Sequence, residues 1–189
     1  MYFAPLGRLA EAIAETKRAE ELDPLSLTAI TGLGRCFYYA RKYDEAVEQY
    51  RKALELDPTL WDAHLFLAKA YIQKGMYEES LAELRQSKGV SVEPRALLAY
   101  TYAISGQRRQ ATRLLTELLE LSKRQYVPRY HIAIIYVGLG DKNQAFAWLE
   151  KAYQERDHWL GNLKVEPLVD PLRSAPRFQE LLQWVRLPR

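Results

Sequence analysis

The chain repeats itself. Ala19-Glu20-Glu21-Leu22-Asp23-Pro24 returns thirty-four residues later as Ala53-Leu54-Glu55-Leu56-Asp57-Pro58. Gly7, Arg41, Gly75, Gly106 and Gly140 follow one another at 34, 34, 31 and 34 residues, each at a break between two apolar-periodic stretches. No other feature constrains the fold as strongly. A unit of two short helices cannot bury its apolar face alone and must stack on its neighbours. The short interval places a three-residue deletion at Gly89–Glu93.

Within each unit the first helix carries a large apolar residue, a small one and an aromatic at i, i+1 and i+4. Leu33, Gly34 and Phe37 form one such set; Leu67, Ala68 and Tyr71, then Leu98, Ala99 and Tyr102, then Ile132, Ala133 and Tyr136 form the others. Ala46, Ala111 and Ala145 fall where two helices cross closely, and a larger side chain there would cost about 1–3 kcal/mol. Asp23-Pro24 and Asp57-Pro58 end helices, because the residue before proline avoids the α region and proline donates no backbone bond. The pattern predicts helices over 8–22, 26–40, 43–56, 60–74, 77–87, 94–105, 108–122, 127–139 and 142–156, and no strands.

With Tyr43, Ala46, Tyr50, Ala53 and Pro58 after Leu33, Gly34 and Phe37, the second unit resembles the tetratricopeptide repeat (TPR) family. Arg41 replaces that family's usual turn glycine, and Ser80 and Ser87 replace small alanines in the third unit. The resemblance implies an all-α, right-handed TPR α-solenoid of antiparallel helix pairs with a C-terminal capping helix. It divides residues 1–157 into a half repeat at 7–24 and repeats at about 27–58, 61–91, 92–125 and 126–157, leaving 158–189 as the cap. The six residues before Gly7 are too few for a first helix, so the half repeat implies either a continuation upstream or a half-unit that acts as a cap. In the cap, prolines between Leu163 and Ser174 forbid a long helix, and an amphipathic helix is expected from Pro176, carrying Phe178, Leu181, Leu182 and Val185. Leu163 to Leu187 also resembles the end of TPR regions attached to bacterial winged-helix regulators and serine/threonine kinases.

The family resemblance implies a non-catalytic scaffold that binds a protein or peptide on the concave side formed by the first helices. Carried onto this sequence, the groove positions include Arg35, Tyr38, Tyr39, Asp62, Phe66, Lys69, Tyr100, Tyr130 and His131. The aromatic members would anchor a peptide by packing, with Arg35 and Lys69 orienting it. Family members that hold a chaperone's C-terminal carboxylate use Lys and Asn at these positions. Gly32, Phe66 and Leu97 occupy the Asn positions here, so that mode is not expected.

No catalytic constellation, metal site or cofactor is expected. His64, His131 and His158 are far apart in sequence, and no phosphate-binding glycine loop or nucleophile elbow occurs. Cys36, the single cysteine, falls beside a core aromatic, where burial would make it inert; its solitude excludes an internal disulfide and fits a reducing, cytoplasmic setting. The apolar run Ile132–Leu139 is too short to span a bilayer, and no signal-peptide pattern precedes Glu11, so no membrane association is expected. The residues up to Pro94 carry 12 basic against 15 acidic side chains, and those after it 15 against 9. Arg108, Arg109 and Arg113 make nucleic acid a third, less favoured partner, because the leucines between them must pack. A regulatory module of a larger bacterial protein is the alternative to the peptide scaffold. An exposed terminal repeat would offer a homodimer surface.

Overall fold

A computed structural model describes residues 8–87 and 91–185; Gly7, the first two residues of the Gly89–Glu93 deletion site and the last four residues of the chain lie outside that range. The chain divides into two compact units, Met1–Val90 and Ser91–Arg189. Unit 1 contains α1 (Leu9–Leu22), α2 (Leu27–Tyr39), α3 (Tyr43–Leu56), α4 (Trp61–Gln73) and α5 (Tyr77–Gln86). Unit 2 contains α6 (Glu93–Ile104), α7 (Arg108–Leu121), α8 (Arg129–Gly138) and α9 (Lys142–Gln154). Two 3-10 turns follow, His158–Asn162 and Pro167–Leu172, and α10 (Pro176–Trp184) closes the unit. The described residues contain no strand. In each unit, helices adjacent in sequence pack on one another, as the short turns between them require.

The turns within helix pairs share one geometry. Gly75, Gly106 and Gly140 have φ of 74°, 82° and 78°. After Gly75, the Met76 N–H donates to Tyr71 O at 3.0 Å while the Gly75 N–H donates to Ile72 O at 3.1 Å, the paired bonds of a Schellman ending. Arg41 and Arg156 adopt the same left-handed region, at 62° and 54°, although they carry a Cβ. Lys42 and Asp157 complete the same long bond there, donating to Phe37 O at 2.9 Å and Ala152 O at 2.8 Å. The receiving carbonyl in the first case belongs to the core aromatic Phe37, so the turn and the packed ring are tied together.

In unit 1 the turns between pairs, at Asp23-Pro24 and Asp57-Pro58, are set by Asp-Pro. Asp57 has φ −139° and ψ 95°, outside the helical region, as the following proline demands. Its Oδ1 accepts from the Thr59 backbone N–H at 2.9 Å and from Thr59 Oγ1 at 2.7 Å. These bonds hold the Asp57 carboxyl below its ordinary pKa. Asp23 repeats the arrangement, accepting from the Leu25 N–H at 3.3 Å. Behind the Asp57-Pro58 turn, Ile30, Ala53 and Ala63 form a core packed by Leu27, Leu54 and Leu60. Ala46, Ala111 and Ala145 are wholly buried, in agreement with their expected place at close crossings.

Candidate binding face and its neighbours

In unit 1 the candidate residues gather around Phe66. Arg35, Tyr38 and Tyr39 share a face of α2 because they stand at i, i+3 and i+4; Phe66 and Lys69 share a face of α4 at i, i+3. The Phe66 ring stacks on Tyr50 of α3 with centroids 5.9 Å apart and planes 21° apart, and meets Tyr38 edge-on at 6.4 Å. Two cations lie against the same ring: the Arg35 guanidinium carbon at 4.8 Å and Lys69 Nζ at 5.0 Å from its centre. Lys69 Nζ is also 5.2 Å from the Tyr38 ring, and Tyr38 meets Tyr39 at 5.3 Å. Such cation and ring contacts supply about 0.5–2 kcal/mol each, the more so where water is excluded.

Exposure divides these residues. Tyr38, Tyr39, Tyr50 and Lys69 are buried, while Arg35, Asp62 and Phe66 are half-buried and reach the surface. Gly34 makes this arrangement possible, since the Tyr50 ring lies directly on its Cα. Burial pushes the Tyr50 hydroxyl well above its ordinary pKa, with Arg35 acting in the opposite sense, so Tyr50 keeps its proton. Cys36 is wholly buried and its thiol is pushed up, chiefly by that burial. His64 joins the structure through both ring nitrogens, with Nδ1 2.6 Å from Glu83 Oε2 and Nε2 3.0 Å from Pro58 O.

In unit 2 the corresponding residues are covered by the chain's own tail. The Tyr130 and Trp159 rings stack at 6.4 Å with planes 12° apart, and His131 lies 4.9 Å from Trp159. Tyr100 Oη donates to Leu168 O at 3.4 Å. Buried Asp157 pins the tail at its start, accepting from the Tyr130 N–H and the Trp159 N–H, both at 3.1 Å. Leu160, Leu163, Val165, Leu168, Val169 and Leu172 are all buried, so the tail is part of the unit's core. Tyr100, Tyr130 and His131 are themselves buried, and the faces expected to meet a partner are used internally. The two 3-10 turns do this; α10 instead packs on α9, where the Trp184 ring meets Tyr153 at 5.8 Å and Arg177 Nε donates to Glu150 Oε1 at 2.7 Å. Spacing alone did not single out Asp157 or Trp159. The signal available was the apolar density of Leu160 to Leu172, too high for a segment left in water.

Comparison with known families gives the match described as "TPR repeat" over residues 34–75 and that described as "Tetratricopeptide repeat" over 62–91 and 128–156. These segments are tetratricopeptide repeats. The TPR helix pairs extend beyond them in the fold. TTC0263, a thermophilic TPR protein of Thermus thermophilus, is 22% identical with a TM-score of 0.64, over 94% of this chain and 92% of its own. PilW, a type IV pilus biogenesis factor, is 18% identical with a TM-score of 0.61, over 95% and 85%. YrrB, a TPR protein with an unusual peptide-binding site, is 16% identical with a TM-score of 0.52, over 89% of each chain. No curated protein sequence matches. At these identities the likeness establishes the TPR solenoid fold. Among the described residues, no helix is long and apolar enough to cross a membrane, and no group of His, Cys, Asp and Glu could hold a metal ion.

Proposed function

We propose that this chain is a non-catalytic scaffold that binds a protein or peptide segment on the face of unit 1 that carries Arg35, Asp62 and Phe66, with Tyr38, Tyr39 and Lys69 supporting that face from beneath. The observation that carries this reading is the contrast in exposure. Phe66 and Arg35 reach the surface with their ring and guanidinium already in contact, whereas Tyr100, Tyr130 and His131 are covered by the tail. A half-exposed ring held by Tyr38, Tyr50, Arg35 and Lys69 gives up little entropy on binding and suits an anchoring role. TPR repeats are in general protein-binding modules, and one structural neighbour carries a peptide-binding site, which supports the same reading.

The test compares two variants of equal helicity. Partners recovered from source-organism lysate are quantified for the wild-type chain, for Arg35→Ala/Phe66→Ala, and for Tyr126→Ala, which alters a 60% exposed ring in unit 2. Loss of a partner from the double variant alone supports the reading. An unchanged partner set in the double variant overturns it.

A further inference from the structure

Beside Phe66, three polar atoms contributed by three successive helices have no hydrogen-bond partner in the protein. They are Arg35 Nε of α2, Tyr50 Oη of α3 and Asp62 Oδ1 of α4, and each of the three atoms is buried. The Arg35 guanidinium and the Tyr50 ring both lie against the Phe66 ring, and Asp62 stands one turn before Phe66 on α4, which puts the three groups in one neighbourhood. They are not paired with one another: Arg35 and Asp62 form no ion pair among the described residues. Buried polar groups without partners are unfavourable, so their grouping on a candidate binding face suits a ligand that completes them.

We infer that this trio receives the side-chain carboxamide of an asparagine or glutamine in the bound segment. The inference rests on the scaffold reading above and names the chemistry of its partner. Arg35 Nε–H and Tyr50 O–H are donors, and Asp62 Oδ1 is an acceptor. A primary carboxamide presents a carbonyl with two lone pairs and an NH2 group side by side at one end, which matches two donors and one acceptor. A trans backbone amide points its N–H and C=O in opposite directions and cannot offer both to one side. A carboxylate would satisfy the two donors but set a second negative charge against Asp62; an ammonium or guanidinium would satisfy Asp62 but face Arg35. The opposed charges of Arg35 and Asp62 thus favour a neutral group carrying both functions. Tyr50 keeps its proton in this setting and remains a donor. Arg35, Asp62 and Phe66 are half-buried residues that reach the surface around the buried trio, and the Phe66 ring receives the apolar part of the same residue.

Random peptides displayed on phage and selected against the full chain test this. The enriched sequences should share one Asn or Gln. Synthetic versions titrated by fluorescence anisotropy should lose about tenfold in affinity when that residue is changed to Asp or Ala, and about as much against Tyr50→Phe or Asp62→Ala. Enrichment of Asp, Glu, Ser or Thr in place of the carboxamide would overturn the inference and leave the scaffold reading intact. So would equal affinity for wild type and both variants, each checked by circular dichroism to be folded. Failure to enrich any peptide would overturn the scaffold reading and the inference with it.

Discussion

The Tyr50 ring of α3 lies against the bare Cα of Gly34 on α2: a Cβ at Gly34 would stand 2.8 Å from Tyr50 Cε1 and 2.9 Å from Cζ. This contact sets the separation of the two helices and with it the height of Phe66, which stacks on Tyr50. Gly34→Ala gains about 1 kcal/mol of helix propensity but overpacks a buried ring at a cost of about 1–3 kcal/mol. A net loss of stability is expected in urea denaturation, together with a weakened affinity for any segment bound at Phe66. A variant as stable as wild type would show that the approach has slack.

The Tyr50 hydroxyl is buried without a protein partner, so its removal should help the free chain. Tyr50→Phe is expected to raise stability by about 1 kcal/mol, since the ring is kept and an unpaired group is lost. Thermal denaturation of the two proteins checks this, and a fall in midpoint would mean that the hydroxyl contributes to the unbound fold.

The left-handed turns make a paired prediction. Arg156 holds φ 54° with a Cβ, which costs about 1–2 kcal/mol; glycine there removes that strain, and its greater unfolded-state entropy offsets part of the gain. Arg156→Gly should therefore stabilise by a few tenths to about 1 kcal/mol. Gly106→Ala, at φ 82° with open space around the added methyl, should destabilise by about 1 kcal/mol from backbone strain alone. Chemical denaturation midpoints moving in opposite directions would confirm both.

Asp157 is buried and joins the tail to α8 through two backbone N–H groups. Asp157→Ala leaves both donors unpaired and should cost about 2–4 kcal/mol. Faster hydrogen exchange and proteolytic cleavage between 158 and 172, with unit 1 unaffected, are the expected signs. Uniform protection across the tail would mean that apolar burial alone holds it.

The turn after α3 gives a pH dependence. The hydrogen bonds from Thr59, side chain first and backbone second, lower the pKa of Asp57 in the folded chain. A carboxyl depressed in this way contributes stability above its unfolded pKa, and the contribution is lost as pH falls through the folded value. An NMR titration should find Asp57 ionising below the ordinary aspartate range. Thr59→Ala should move it back up; an unmoved titration would assign the shift to the surroundings.

The sequence by itself determined the helices, their pairing and their turns. Local chemistry suffices for these: the period places the apolar stripe, Asp23-Pro24 and Asp57-Pro58 stop helices, and the glycines at 75, 106 and 140 take the φ a tight ending needs. Predicted helix 43–56 and observed α3 (Tyr43–Leu56) coincide. The candidate site was legible only as positions on helix faces, and those positions did come together around Phe66 in unit 1. Tertiary structure decided which were exposed. Nothing local to Tyr100, Tyr130 or His131 reveals that Trp159 and Leu168, distant in the chain, will cover them, because that outcome depends on where a proline-broken tail finds its largest apolar burial. The unpartnered Arg35, Tyr50 and Asp62 atoms were equally hidden from a linear reading, since each residue is ordinary in its own helix and the unmet bonds exist only where three helices meet.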